Sequence, residues 1–384
     1  MDIKPRLDRE SSERPKMTHR VRVLCVAIPL SALIVLGATL LLPIAFDHDL
    51  FDASDSAPAI GMAYDPHLPI ILANNIAFTG NNSTTGISWG SGTEEDPYVI
   101  TGLEIDAGGY LSAIDIGNSN VYFKVTNCLL YNATDQDIMI RFASNGSLID
   151  NYCNDSKVGI KVWQSDNQSI SWNTCAGNSL QGVLVSWSEN VTVFNNTCDS
   201  NDDSGIGIYY SKNNSVSENL CYNNTYGILF SNSRRNEVMY NNLSSNSDVG
   251  VSIDLNSRDN RLLNNTFYHN NGTGNSYNPS NSQAFDAGIH NLWNTSGLSN
   301  DSGNFWIDMT SPDLVEPFGV VDNPYNISGG KGVKDYFPLT TMPTPPMIPE
   351  PAIVTLAPIM ATVFIVFRRI SGKKGFRRER KETS

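Results

Sequence analysis

Five glycines recur down the middle of this chain at an almost constant interval: Gly159, Gly182, Gly205, Gly227 and Gly250, at steps of 23, 23, 22 and 23 residues. A period of that size belongs to a coil that returns over itself, each turn burying a face on the one before. The residues after each glycine give the kind of coil. Ile160 and Val162, Val183 and Val185, Ile206 and Ile208, Ile228 and Phe230, and Val251 and Ile253 stand one and three places on, the alternation of a strand with one buried face. A second apolar column runs Phe123, Leu148, Ile170, Val193, Val216, Val238 and Leu262. Three residues after each comes Thr126, Asn151, Asn173, Asn196, Asn219, Asn241 or Asn265. Asparagine tolerates left-handed backbone, so these positions predict turns. Short strands between Asn, Ser, Asp and Gly turns, with no helical period, predict an all-β parallel β-helix of about seven coils stacked about 4.8 Å apart. Parallel crossovers make such a solenoid right-handed. A β-sandwich needs a turn roughly every 8 to 12 residues, which a single longer period excludes.

A cysteine column shares the period: Cys128, Cys153, Cys175, Cys198 and Cys221, at steps of 25, 22, 23 and 23, continued by Leu243 and Phe267. Apolar successors place the column inside, where thiols act as small hydrophobes. Disulfide pairing between coils is a second reading, opposed by β-carbons about 4.8 Å apart in register against the usual 3.5 to 4.5 Å. Soft-metal capture is a third, and it needs deprotonated, reachable sulfurs. Cys25, the sixth, falls in an apolar span near the N-terminus.

Two apolar spans frame the repeats, residues 23–46 and 352–367. Each approaches the roughly 20 residues that cross a bilayer. Seven basic residues precede the first, and Arg368, Arg369, Lys373, Lys374, Arg377 and Arg378 follow the second. Basic flanks stay in the cytoplasm, so the expectation is two transmembrane helices with the body outside the cell. A cleaved signal peptide is the alternative for the first span, although its apolar run exceeds the usual h-region. Setting aside the 15 basic and six acidic residues of the two tails leaves 11 basic against 33 acidic, a net of −22 for residues 23–367. That surface disfavours nucleic acid and favours cations and solubility. Sixteen Asn-x-Ser/Thr acceptors, among them Asn132, Asn190, Asn223 and Asn326, fit an extracellular, glycosylated body. The expected order is a basic tail (1–22), a signal anchor (23–46), a linker (47–69) and an N-terminal cap (70–110). Coils (111–275), a closing segment (276–340), a Pro-rich stalk (341–351), a membrane helix (352–367) and a basic tail (368–384) complete it.

Residues 86–109, with Gly90-Ser-Gly92 and Asp96-Pro-Tyr-Val-Ile-Thr-Gly102, resemble the opening of archaeal surface β-helix proteins related to the NosD-type family of periplasmic copper-enzyme maturation proteins. Ser302-Gly-Asn-Phe-Trp-Ile-Asp308, Asp322-Asn-Pro-Tyr-Asn-Ile327 and Asp335-Tyr-Phe-Pro-Leu339 resemble the segment that closes those helices. The likeness covers about residues 70–340. It implies a pectate-lyase-like superfold and raises copper at the thiol column. Relatives often carry an Asp/Gly-rich run in the closing segment, which raises calcium as well. Here the corresponding residues 312–319 are poor in acidic ligands. Pro349-Glu-Pro351, an apolar stretch and an Arg-rich end resemble the PEP-CTERM and PEF-CTERM sorting tails cut by exosortases and archaeosortases, with a plain membrane anchor as the rival.

Polysaccharide lyases and epimerases use this fold, and their chemistry needs a group that neutralises a uronate and a base that takes the adjacent proton. Asp199, Asp202 and Asp203, with Tyr209 and Lys212 nearby, are the candidates, against a solvated turn as the plain alternative. Asp65-Pro-His67 resembles an alginate-epimerase motif but precedes the first coil. Trp163 and Tyr209 each lie four residues after a column glycine, pointing outward two coils apart, where sugar rings stack. Arg234, Arg235 and Arg258 suit an anionic sugar or simply offset acidic charge. The leading expectation is a membrane-anchored, non-enzymatic extracellular protein contacting envelope polysaccharide or partner proteins. A uronate lyase or epimerase and a copper-binding accessory protein are the alternatives.

Overall fold

The computed structural model describes residues 64–345, apart from 80–83, 272–280, 296–301, 310–319, 322 and 331. The apolar spans 23–46 and 352–367, both basic tails and the calcium candidate at 312–319 lie outside those residues. Among the described residues no helix is long and apolar enough to cross a membrane.

One coil shows the plan. Gln181–Ser186 runs along a wide sheet, Thr192–Phe194 joins a second sheet and Thr197–Asp199 a third. A last corner then lays Ser204–Tyr209 parallel to Gln181–Ser186. Repetition builds three sheets of nine, nine and ten strands, wound with the right hand that parallel crossovers adopt. Among the described residues, antiparallel strand pairs are Ile87–Trp89 with Tyr98–Thr101 and Tyr325–Asn326 with Lys334–Asp335, and single antiparallel bridges join Thr295 to Ser302 and Val320 to Leu339. Strands from 70–110 and from 276–340 continue the sheets beyond residues 111–275.

Like side chains meet between coils. Ile160, Val183, Ile206, Ile228 and Val251 lie in register on the wide sheet. Leu148, Ile170, Val193, Val216, Val238 and Leu262 do so on the second, and all of them are fully buried. Each such side chain contributes about 1.5–3 kcal/mol on leaving water. The column glycines do not mark turns. A Cβ on Gly205 would lie 2.8 Å from the carbonyl oxygen of Gly227 and 2.9 Å from the Cβ of Cys221. Glycine is required there because one coil touches the next.

Corners combine a left-handed residue with a buried polar one. Trp172, Asn195, Glu218 and Tyr240 take φ of 60°, 51°, 59° and 60°. The residues after them, Asn173, Asn196, Asn219 and Asn241, point inward and are at most 1% exposed. The predicted turn asparagines are therefore not the left-handed residues but an internal ladder. Asn173 N donates to Asn196 Oδ1 at 2.9 Å, and Asn196 Nδ2 donates to Asn219 Oδ1 at 3.0 Å and to the carbonyl of Ile170 at 2.9 Å. Asn178, Asn201, Asn224, Asn246 and Asn270 make a second ladder, and Asn214, Asn236, Asn260 and Asn291 a third. Ser165, Ser188, Ser211, Ser233 and Ser257 make a fourth. These ladders bond the corner amides that no strand partner reaches.

The first coil sits two residues away from its predicted register. Leu148 pairs with Val125 rather than Phe123, and Cys153 with Leu130 rather than Cys128. Cys128 instead heads the first Asn ladder, its N–H donating to Asn151 Oδ1 at 3.2 Å. The inward column proper runs Cys153, Cys175, Cys198, Cys221, Leu243, Phe267 and Trp306. Phe267, Trp306 and Tyr325 stack at 4.1 and 3.9 Å and plug the C-terminal end of the core. Asp335 beneath accepts from Trp306 Nε1 at 3.0 Å and from Asn304 N at 2.7 Å.

Candidate functional site

The corner leaving the wide sheet presents Phe142, Gln164, Trp187, Tyr210 and Asn232 in successive coils, all with φ between 46° and 55°. Each is followed by an inward small residue, Ala143, Ser165, Ser188, Ser211 or Ser233. Left-handed backbone is uncommon for a bulky side chain and costs about 1–2 kcal/mol at each position. Three of the five are nonetheless large aromatics, and they face solvent: Phe142, Trp187 and Tyr210 are 45%, 54% and 48% exposed. Trp187 and Tyr210 lie flat on each other, centroids 4.4 Å apart and planes 1° from parallel. Phe142 meets Trp163 edge-on at 4.8 Å. Beside them a hollow of about 450 Å³ is lined by Asn120, Phe142, Ser144, Gln164, Asp166 and Asn167 among others.

Two residues beyond Trp187, Tyr210 and Asn232 the chain bridges coil to coil again, aligning Glu189, Lys212 and Arg234, with Arg258 in the coil after. Lys212 pairs with Glu189 at 2.7 Å, and Arg258 approaches Asp259 at 3.7 Å. The Lys212 ammonium and the Asn213 amide hold the Glu189 carboxyl below its usual range. Arg234 and Arg235 form no ion pair among the described residues. Aromatic faces and guanidinium groups thus share one corner.

The predicted binding pair is placed as expected in register: Trp163, Ser186 and Tyr209 stand opposite one another in successive strands. Both aromatics are only half-exposed. The Tyr209 hydroxyl lies 3.4 Å from Asp203 Oδ2, and burial, then the Asp203 charge, raises its pKa. The more exposed stack, Trp187 with Tyr210, was not singled out from the sequence. Its signal was nevertheless present, two aromatics 23 residues apart, each directly before a serine of one ladder.

The acid and base candidates do not converge. Asp199 is 4% exposed and accepts from Ser200 Oγ at 2.7 Å and Asn223 Nδ2 at 3.4 Å. Asp202 faces solvent, and Asp203 is tied to Gln181 and Tyr209 at the entry of the wide sheet. Lys212 lies past the exit of that sheet, held by Glu189. Asp65–Pro66 is a short strand beside Leu103 and Glu104 at one end of the third sheet, away from the corner. Asn132, Asn190, Asn223 and Asn326 are all exposed, the first three at left-handed corners.

All five described cysteines are free and buried. Burial pushes the Cys128 thiol up to about 12 and also raises Cys153 and Cys221. Hydrogen bonds with Cys153 and Cys198, then burial, raise Cys175, while Cys175 and Cys221 donate to Cys198 and draw it down. Burial disfavours a thiolate, so Cys128, Cys153, Cys175 and Cys221 stay protonated, and only Cys198, with two S–H donors, is drawn the other way. Copper does not fit this column as it stands. Among the described residues no group of three or more His, Cys, Asp or Glu is arranged to hold a metal ion.

Repeating coils, internal Asn and Ser ladders and an aromatic plug define a parallel β-helix protein. Residues 100–311 match the family described as Periplasmic copper-binding protein (NosD), and the chain belongs to that family. No curated protein matches it. Similar solved structures include the A-module of mannuronan C-5 epimerase AlgE4 from Azotobacter vinelandii, at 11% identity and a TM-score of 0.39, covering 50% of this chain and 59% of that one. The periplasmic alginate epimerase AlgG is similar at 19% identity and a TM-score of 0.40, covering 50% of this chain and 52% of its own. The Dettilon tailspike protein has 13% identity and a TM-score of 0.40, with 52% and 47% covered. The chain spans about half the length of these proteins, and the likeness is one of fold.

Proposed function

We propose that this chain is a membrane-anchored, non-enzymatic extracellular protein that holds envelope polysaccharide against its aromatic corner. The observation that carries the reading is the Trp187–Tyr210 stack, two exposed rings on left-handed backbone whose display the core does not need. Sugar rings place their C–H faces on such aromatics. The periplasmic description of the NosD family agrees with a body outside the cytoplasm, and the spans 23–46 and 352–367 supply the anchors in this reading. Lysis or epimerisation of uronates finds no support in a corner that leaves Asp203 and Lys212 at opposite ends of the wide sheet.

The test is retention of the detergent-solubilised full chain on an array of envelope polysaccharides. Wild type is expected to bind, and Trp187→Ala with Tyr210→Ala to weaken binding about tenfold, from about 0.5–1.5 kcal/mol per ring contact. Absence of any retained polysaccharide, or equal binding by the double variant, refutes the proposal. Unsaturated product from a uronate polymer, read by ultraviolet absorbance, overturns its non-enzymatic part.

A further inference from the structure

We infer, resting on that reading, that the polysaccharide is acidic, with one sugar ring on the outer face of Tyr210 and its carboxylate against Arg234 and Arg235. Trp187 covers one face of Tyr210. The opposite face looks along the solenoid toward the next coil, where the corner carries Asn232, a shorter side chain whose amide is drawn aside to Ser231 Oγ at 3.3 Å. A ring stacked on Tyr210 therefore sits about one coil on, roughly 4.8 Å, which is the level of Arg234.

The Asp254 carboxyl stands at that corner too, but it is already bonded by Asn232 N, Ser231 Oγ and Ser257 Oγ, so the charges left to a ligand are the basic ones. Lys212, Arg234, Arg235, Arg258 and Arg261 occupy this corner and the strand after it, while the other described basic residues, Lys124, Arg141, Lys157, Lys161 and Lys334, are scattered. Three of the five already face acids, Lys212 with Glu189, Arg258 with Asp259 and Arg261 with Glu237. Arg234 acts on Glu189 through its field alone, and neither it nor Arg235 makes an ion pair among the described residues, which leaves two planar forks of the shape that matches a carboxylate. The acidity of the whole body does not forbid this. Its field is screened beyond about 8 Å at physiological ionic strength, so the nearest guanidinium groups decide. Arg258 and Arg261 extend the row by one coil, which orients an extended chain lengthwise, sugar after sugar along the stack.

Binding of the full chain is measured for polygalacturonate, its fully methyl-esterified form and polyphosphate. Polygalacturonate is expected to bind at least tenfold more tightly than the ester and to weaken as salt is raised. Arg234→Ala with Arg235→Ala removes that preference, about tenfold, and leaves binding of the ester unchanged. Tyr210→Ala weakens both polymers, and Lys124→Ala weakens neither. Equal binding of polygalacturonate and ester by wild type overturns the acidic assignment while leaving the aromatic platform standing. Polyphosphate bound as tightly as polygalacturonate, and unaffected by Tyr210→Ala, reduces the corner to an ion exchanger and overturns the inference. Failure of both sugar polymers at the wild-type corner refutes the platform and the inference together.

Discussion

Replacing Asn196 by alanine tests the internal ladder at its middle. The side chain makes five hydrogen bonds: it accepts from Asn173 N and Asn173 Nδ2, and donates to the carbonyls of Ile170 and Phe194 and to Asn219 Oδ1. Several partners keep another bond. Asn173 Nδ2 retains Leu148 O at 2.9 Å, Phe194 O retains Trp172 N at 3.2 Å, and Asn219 Oδ1 retains Asn196 N at 2.9 Å. The Asn173 amide, buried at 1% exposure, loses its acceptor. An orphaned buried N–H costs about 1–3 kcal/mol, and two unreplaced bonds add about 1 kcal/mol each. The expected loss is about 4 kcal/mol, a large share of the roughly 5–15 kcal/mol that holds a domain. Urea unfolding followed by tryptophan fluorescence measures it, and amide exchange locates it in the coils containing Asn173 and Asn196. Asn195→Gly, at the adjacent left-handed position, is the control and should change stability by less than about 0.5 kcal/mol. A cost below about 1 kcal/mol for Asn196→Ala would refute the idea that the ladder satisfies the corners.

Gly205→Ala drives a Cβ to 2.8 Å from the Gly227 carbonyl and should cost about 1–3 kcal/mol, whereas Gly207→Ala meets side-chain atoms, the movable Leu184 Cδ1 at 3.1 Å and Gln181 Cγ and Tyr209 Cε1 at 3.4 Å, and should cost less; equal urea midpoints for the two would contradict the coil-contact argument. Burial raises the Asp335 carboxyl from 3.8 to about 6, so the folded chain binds the extra proton between those values and its stability falls as pH rises through that window. Lowering the pH from 7 to 5 should therefore raise the urea midpoint, and Asp335→Asn should flatten that dependence, a pattern absent if the carboxyl titrates as in the unfolded chain. The five buried thiols should react with Ellman's reagent only after unfolding and take up no stoichiometric Cu(I) in the native state; rapid native labelling or tight copper binding would show that the column opens.

The period carried the fold. Inward residues repeat with a coil length that tolerates little change, so the Gly, Ile/Val and Leu/Val columns were legible without any partner. The slip in the first coil has a physical reason. Moving a strand by two residues keeps every side chain on its own face, and Phe123 and Val125 are both buried, so the hydrophobic pattern alone could not choose between them. The matching cysteine at 128 then favoured the wrong register. Three of the four polar ladders escaped because each position accepts Asn, Ser or Gln, and Val191 interrupts one of them. The aromatic corner was hidden by its backbone. Residues at positive φ are expected to be Gly or Asn, and nothing in local composition announces a Trp or Tyr there. Asp203 and Lys212 looked close because nine positions separate them, but a strand running straight between them holds them apart.

Among the described residues, each of the three sheets finishes at the C-terminal end against a single residue rather than another strand: Leu339 beside Phe305, Ser328 beside Phe285 and Leu292 beside Arg261. An uncapped stack of identical coils is a template, since its last strand offers the same row of donors and acceptors that recruited it. Those three residues, with the ring plug under them, are a terminator. They cover the row of donors and acceptors on which a further coil would pair, and they free the upstream coils to repeat as faithfully as they do.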